Sequence, residues 1–256
     1  MSNRPPAEEQ PSSLGAMTSD EAADAGPATL LVPVGATEQH GPHLPLHTDT
    51  IIAEAWAWRV AASMNEAGHR TVVAPALAYG SSGEHQMFPG TLSIGAEALR
   101  LVIIELTRSA SQTFERVVYL SGHAGNLEPL SDAVDQLVAE GHRVHHLVPG
   151  WSAGEGWNVD AHAGRTETSL LLHLRPAEVR HDRMVPGDTR PLRDIMATMR
   201  SAGVGAVAAN GILGDPTHAD REEGRDLLVD LVARTVKKLL TDRAEGDGQY
   251  DSDDAH

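Results

Sequence analysis

Short uninterrupted apolar runs fall at residues 29–34, 71–77, 116–120 and 143–148, bounded by Gly, Pro or polar residues. Runs of that length without strict alternation predict strands buried on both faces. Elsewhere the apolar positions recur every three to four residues, which predicts helices over 50–65, 96–113, 127–140, 167–173 and 221–240. Strand alternating with helix predicts an α/β fold, a three-layer αβα sandwich around a mainly parallel sheet. In such sheets ligands gather beyond the carboxyl ends of the strands. The loops that follow the strands are therefore where chemistry is expected.

Outside this pattern lie two polar tails. Residues 1–27 are rich in Pro, Ser, Glu and Ala, and residues 242–256 are acidic without apolar period; both read as disordered extensions. That leaves 28–241 as one folded domain, a size that fits a single core in a chain of 256 residues with 41% apolar content. The formal net charge of -16, from 36 acidic against 20 basic residues, disfavours nucleic acid and anionic membrane as partners. There is no cysteine, which excludes disulfides, thiolate zinc sites and cysteine nucleophiles. No apolar run approaches the roughly 20 residues needed to span a bilayer, and the N-terminus has no apolar signal core. A cytoplasmic location is the expectation. Fourteen histidines are unaccounted for by any of this.

Three polar segments fall at or near the strand ends. The first runs Gly35-Ala36-Thr37-Glu38-Gln39-His40-Gly41-Pro42-His43 and on to His47-Thr48-Asp49. Glu38 and His40, two apart in an extended loop, can converge, and Asp49 at the start of the next helix can fold back toward them. Asp49 could equally be a plain helix cap, and the two roles are compatible. The second is Ser121-Gly122-His123-Ala124-Gly125-Asn126, where two glycines let the chain turn sharply around His123 and Asn126 can cap the next helix. The third is His162-Ala163-Gly164-Arg165-Thr166-Glu167. Glu167 in a first helical turn is favoured by the helix dipole whatever else it does. Together Glu38, His40, Asp49, His123 and Glu167 supply three carboxylates and two imidazoles, enough for two divalent ions, with Zn, Fe or Mn all accepted by such donors. Two ions about 3.5–4 Å apart suit amide hydrolysis.

These segments, in this order and spacing, resemble the signature motifs of the creatininase family: the run 37–45 with Thr48-Asp49, then Gly122-His123-Ala124-Gly125-Asn126, then His162-Ala163-Gly164 through Glu167. The resemblance implies a metal-dependent hydrolase of C–N bonds, a homo-oligomer, and a catalytic role for His162 as the proton donor to the leaving amine. In the arrangement these donors suggest, Asp49 bridges the ions, with Glu38 and His123 on one and His40 and Glu167 on the other. One position departs from the pattern. Creatininase has a metal-ligating glutamate two residues after the histidine of the second motif, where this chain has Gly125. A further stretch, Tyr79-Gly80-Ser81-Ser82-Gly83-Glu84-His85-Gln86 followed by Phe88-Pro89-Gly90-Thr91-Leu92-Ser93, is similar to the branch of the family that matures mycofactocin, a redox cofactor made from a ribosomal peptide. That similarity implies release of a modified C-terminal Val-Tyr unit from a precursor peptide.

Glu84, His85 and Trp157 are candidates for contact with substrate, Trp151 and Trp157 flank a Gly-rich loop that could cover the site, and His43 is a candidate for orienting the first motif. His47, His145, His146, His181 and His218 are read as ordinary surface or packing residues. The competing readings are hydrolysis of creatinine or a formamide in the same fold, and a non-catalytic metal-binding scaffold. A nucleotide-binding α/β protein is disfavoured, because neither G-x-G-x-x-G nor G-x-x-x-x-G-K-[ST] follows a strand.

Overall fold

The computed structural model describes residues 12–149 and 160–244. Five parallel strands form one sheet in the order β1-β3-β2-β4-β5: β1 Ser12–Ser13, β2 Thr29–Val34, β3 Thr71–Val73, β4 Arg116–Ser121 and β5 Val144–Leu147. The central pair runs in register from Thr29 opposite Arg116 to Val34 opposite Ser121. Among the described residues seven α-helices accompany the sheet: α1 Ser19–Asp24, α2 Thr48–Glu66, α3 Ala96–Ala110, α4 Leu127–Ala139, α5 Arg165–Leu174, α6 Leu192–Ala202 and α7 Arg221–Ala244.

Successive residues of a strand face opposite sides, and the sheet uses this to build two cores. Leu31, Val73, Val118 and Leu120 face a cluster with Ile52 and Trp56 of α2, Leu170 and Leu171 of α5, and Leu228 and Leu231 of α7. Leu30, Val32, Val72, Val117 and Tyr119 face the other way, onto Leu99 and Ile103 of α3 and Leu130 and Leu137 of α4. The αβα sandwich follows from this division. Trp56, 1% exposed, donates from Nε1 to Thr235 Oγ1 at 3.0 Å and so ties α2 to α7. Trp56→Phe is expected to cost about 1–3 kcal/mol, from the emptied volume and the lost hydrogen bond. A shift of the urea midpoint without a change of slope is the check.

The structure corrects the expected boundaries at three places. The run 71–77 is a strand only to Val73, because Pro75 has no N–H for the ladder. The chain rejoins the sheet at Leu77, which bridges to Val34. Pro33 is tolerated inside the central β2 because β3 has ended beside it, and its carbonyl accepts from Leu77 N at 2.9 Å. Residues 12–27, expected as a disordered extension, instead form β1 and α1. Ser12 and Ser13 pair with Val72 and Val73, and Leu14, Met17 and Ala25 pack on the second core. Thr18 and Glu21 form a reciprocal capping box at the start of α1. At the other end α7 continues to Ala244, past the expected boundary at 241. Trp151 and Trp157 lie outside the described residues.

Candidate metal centre

β2 and β4, adjacent in the middle of the sheet, deliver the first two segments side by side. Beyond β2, the loop 35–47 is held open by its neighbours: Thr37 Oγ1 donates to Ala78 O at 2.8 Å, Leu92 N to Thr37 O at 2.8 Å, and Gln39 N to Thr91 Oγ1 at 3.2 Å. The segment 88–93 thus runs along the first motif as a brace. Glu38 and His40 both turn inward and are fully buried. Asp49 lies in the first turn of α2, makes no cap bond, and turns back to place Oδ1 3.2 Å from His40 Nε2. Its alternative role as a simple cap is not the one it takes. His40 Nδ1 donates to Glu38 O at 3.1 Å, which leaves Nε2 to face Asp49 Oδ1 and, at 3.8 Å, Glu167 Oε2.

Beyond β4, His123 enters from the turn before α4. Its Nε2 lies 3.3 Å from Glu38 Oε2 and donates to Ser81 O at 3.0 Å, while Nδ1 lies 3.7 Å from Asp49 Oδ2. Asn126 occupies the cap position of α4 without capping it. Its amide instead donates to Gly35 O at 3.1 Å and accepts from Ser81 N at 2.8 Å, joining three loops.

The third segment arrives with α5. Glu167 accepts from Ala163 N at 2.6 Å and still reaches the His40 ring, so first-turn anchoring and site membership coexist. Ala163 has φ 51, the left-handed region that costs an L-residue about 1–2 kcal/mol. The turn is fixed by Asp160, whose carboxylate accepts from Arg165 N and Thr166 N. A Cβ on Gly164 would collide with that carboxylate. Asp160 went unread in the sequence, although an Asp preceding a helical run is a start signal. His43 bonds Thr168 Oγ1 through Nε2 at 2.9 Å, so it connects the first motif to α5.

His162 and His85 complete the cluster. His162 Nδ1 lies 3.8 Å from Glu38 Oε1, and His85 Nε2 lies 3.3 Å from the same oxygen. Their ring centroids are 4.3 Å apart. His85, read from sequence as a substrate contact, is 3% exposed and belongs to the interior of the centre. Glu84 stands at the rim with a side chain 28% exposed, its Oε1 3.6 Å from His123 Nε2. Gln39, assigned no role from sequence, lies between the two rings.

The electrostatics ask for a cation. Both oxygens of Glu38 and Oδ2 of Asp49 are buried without a hydrogen-bond partner, a costly arrangement unless a positive charge answers it. Burial pushes Glu38 up to about 7 against the pull of His123, and pushes Glu167 up to about 7 against the pull of His40. Burial would lower His40, but the carboxylates of Asp49, Glu167 and Glu38 overturn it and raise the ring to about 10. Burial and the neighbouring imidazoles hold His85 down at about 3 and His162 well below the usual imidazole range. Among the described residues three overlapping triads, Glu38–His40–Asp49, Glu38–His85–His162 and His40–His162–Glu167, each offer donor atoms within 4.8 Å of one another. The donor set of imidazole and carboxylate suits Zn, Mn or Fe.

Gly125 makes this packing possible. A Cβ there would fall 2.3 Å from His123 Nε2 and 2.6 Å from both Ser81 O and Glu84 Oε1. Gly125→Ala is therefore expected to displace the His123 ring and weaken metal retention by about 10–100-fold, the usual effect of disturbing a group that orients a ligand. Metal content after dialysis against a graded chelator series measures it.

Comparison with known proteins agrees with this geometry. The family described as "Creatininase: Creatinine amidohydrolase" matches residues 15–239. The "Mycofactocin precursor peptide peptidase" of Mycolicibacterium smegmatis is 48% identical over 237 residues, covering 91% of this chain and 94% of that protein. Among solved structures, a mutant creatininase of "Zn-Zn type" superposes with a TM-score of 0.71 and "Creatininase Mn" with 0.72; each is 28% identical, with 89% of this chain and 96% of the other covered. With its three motifs meeting at the ends of β2 and β4 and the family match spanning nearly all the described residues, this chain belongs to the creatininase family.

Proposed function

We propose that this chain is a peptidase that hydrolyses an amide bond of a modified peptide at a centre of two divalent ions. The observation that carries the hydrolytic reading is the set of three orphaned carboxylate oxygens, on Glu38 and Asp49, buried among four imidazoles. Asp49 would be shared between the ions, Glu38 and His123 would serve one, and His40 and Glu167 the other. Bound there, divalent ions polarise the scissile carbonyl, stabilise the oxyanion and lower the pKa of water. His162 serves the proton transfers. Its Nε2–H is committed to Gln39 O at 2.8 Å, so the ring meets the cluster through a bare Nδ1. A proton that it gives to the leaving amine is first taken up at that nitrogen. Glu84, at the rim, is placed to accept an N–H from the substrate backbone. The peptide assignment rests on the similarity to the mycobacterial peptidase, and the metals on the zinc and manganese forms of creatininase.

Elemental analysis of the purified chain, paired with a cleavage assay on a precursor peptide ending in a modified Val-Tyr unit, tests this. The expected result is two equivalents of metal per chain and release of the C-terminal unit, abolished by chelator and restored by Zn, Mn or Fe. Turnover of creatinine or a formamide with no peptide cleavage would redirect the substrate. Retained metal with no turnover of any amide would overturn the enzyme reading.

A further inference from the structure

The buried Gln39 sits between Glu38 and His40 in sequence, yet its side chain points away from theirs, into the gap between His85 and His162. Its amide orientation is fixed by two main-chain groups. Gly41 N donates to Oε1 at 2.9 Å, and Nε2 donates to Gly211 O at 3.0 Å. The close approach of that loop needs a glycine, because Gly211 has φ 79 and a Cβ there would fall 1.9 Å from Gln39 Oε1.

The proton count then closes. The amide nitrogen has two hydrogens, and Gly211 O takes one. His85 Nδ1 at 2.8 Å accepts the other, because the third neighbour, His162 Nε2 at 3.0 Å, holds a proton of its own toward Gln39 O and cannot accept. A neutral His85 therefore carries its own proton on Nε2, the edge that faces Glu38 Oε1 at 3.3 Å. His162 answers to the main chain of the same residue: its Nε2 is 2.8 Å from Gln39 O, a group that only accepts, so Nε2 holds the proton and Nδ1 is bare. Both rings are thus the same tautomer, but they are inserted in opposite senses. One brings an N–H to the cluster and the other brings a lone pair.

We propose that Gln39 is a positioning residue that assigns the two imidazoles opposite duties, through its side-chain amide for His85 and its backbone carbonyl for His162. His85 is then the group that offers a hydrogen bond to the substrate or its oxyanion, and His162 is the group that accepts a proton. The catalytic consequence rests on the hydrolase reading, whereas the proton positions do not, so the two can fail separately.

The division between side chain and main chain supplies the test. The zinc-loaded full chain, labelled with 15N in its histidines, is examined by long-range 1H–15N correlation spectra, with signals assigned from His85→Gln and His162→Gln. The wild type is expected to show both rings protonated at Nε2. In Gln39→Glu a carboxylate replaces the amide donor, so His85 is expected to move its proton to Nδ1 while His162 stays unchanged. Metal content should hold, and the rate of amide hydrolysis should fall about 100-fold, within the range for a misplaced proton-transfer group. A wild-type His85 protonated at Nδ1, an unmoved His85 in Gln39→Glu, or both rings switching together would overturn the proposal. If Gln39→Glu does not fold, Gln39→Met removes the donor without adding charge. His85 is then expected to populate both tautomers, and a pure Nε2–H form would count against the assignment.

Discussion

Asp49→Ala is expected to abolish metal retention and turnover together, with a loss of rate of about three orders of magnitude or more. That is the several kcal/mol that metal-ion charge stabilisation supplies, read at 1.36 kcal/mol per decade. Asp49 is 1% exposed; one oxygen faces His40 at 3.2 Å, and the other, without a hydrogen-bond partner, faces His123 at 3.7 Å. It is the carboxylate that touches both imidazoles assigned to different ions, so no neighbour can replace it. The control is Asp49→Asn, which keeps shape and removes charge. Elemental analysis, a steady-state assay and circular dichroism on both variants separate the site from the fold. If Asp49→Asn binds two equivalents of metal and keeps its rate, the shared-ligand role is wrong.

The second large effect belongs to His162. His162→Ala is expected to keep its metal and lose about 10²–10⁴ in rate, the span measured for a positioned acid or base. The distinction matters because His162 Nδ1 lies only 3.8 Å from Glu38 Oε1 and falls in two of the three possible donor triads. Metal content decides. Loss of one equivalent would make the ring a ligand and move the proton transfers elsewhere, with His85 the nearest imidazole. Small external imidazoles should restore part of the activity of His162→Ala if its role is proton transfer, and none if it is coordination.

How much of this was readable before any coordinates follows the physics of each element. The central strands β2 and β4 are buried on both faces, so their sequences are plain apolar runs that hardly miscarry. β1 is two residues of serine, held only by pairing with Val72 and Val73, and carries no apolar signal. α6 did leave a trace: Leu192, Ile195 and Met199 recur at helical spacing, with Pro191 before and Gly203 after. It escaped because only Ile195 is buried. In the site, Glu38, His40, Asp49, His123 and Glu167 were named from their motifs, and all five converge. Gln39 and Asp160 were not named, since amides and caps act through hydrogen bonds to main-chain atoms that sequence does not place near one another. The burial of His85, read from sequence as a substrate contact, was hidden for a related reason: its Nδ1 is met by Gln39, distant in the chain.

The convergence has one more consequence. Residues between 38 and 167, carried on four separate stretches of backbone, meet at one buried knot, where Asp49 adds to the burial that raises Glu38 and Glu167, and His40 and His123 offset only part of it. Ions that bind only the folded chain hold it closed by mass action. Copies that never acquire metal open more often, and opened chains are the ones proteases cut. Limited proteolysis with and without chelator is expected to show the loaded chain cut more slowly.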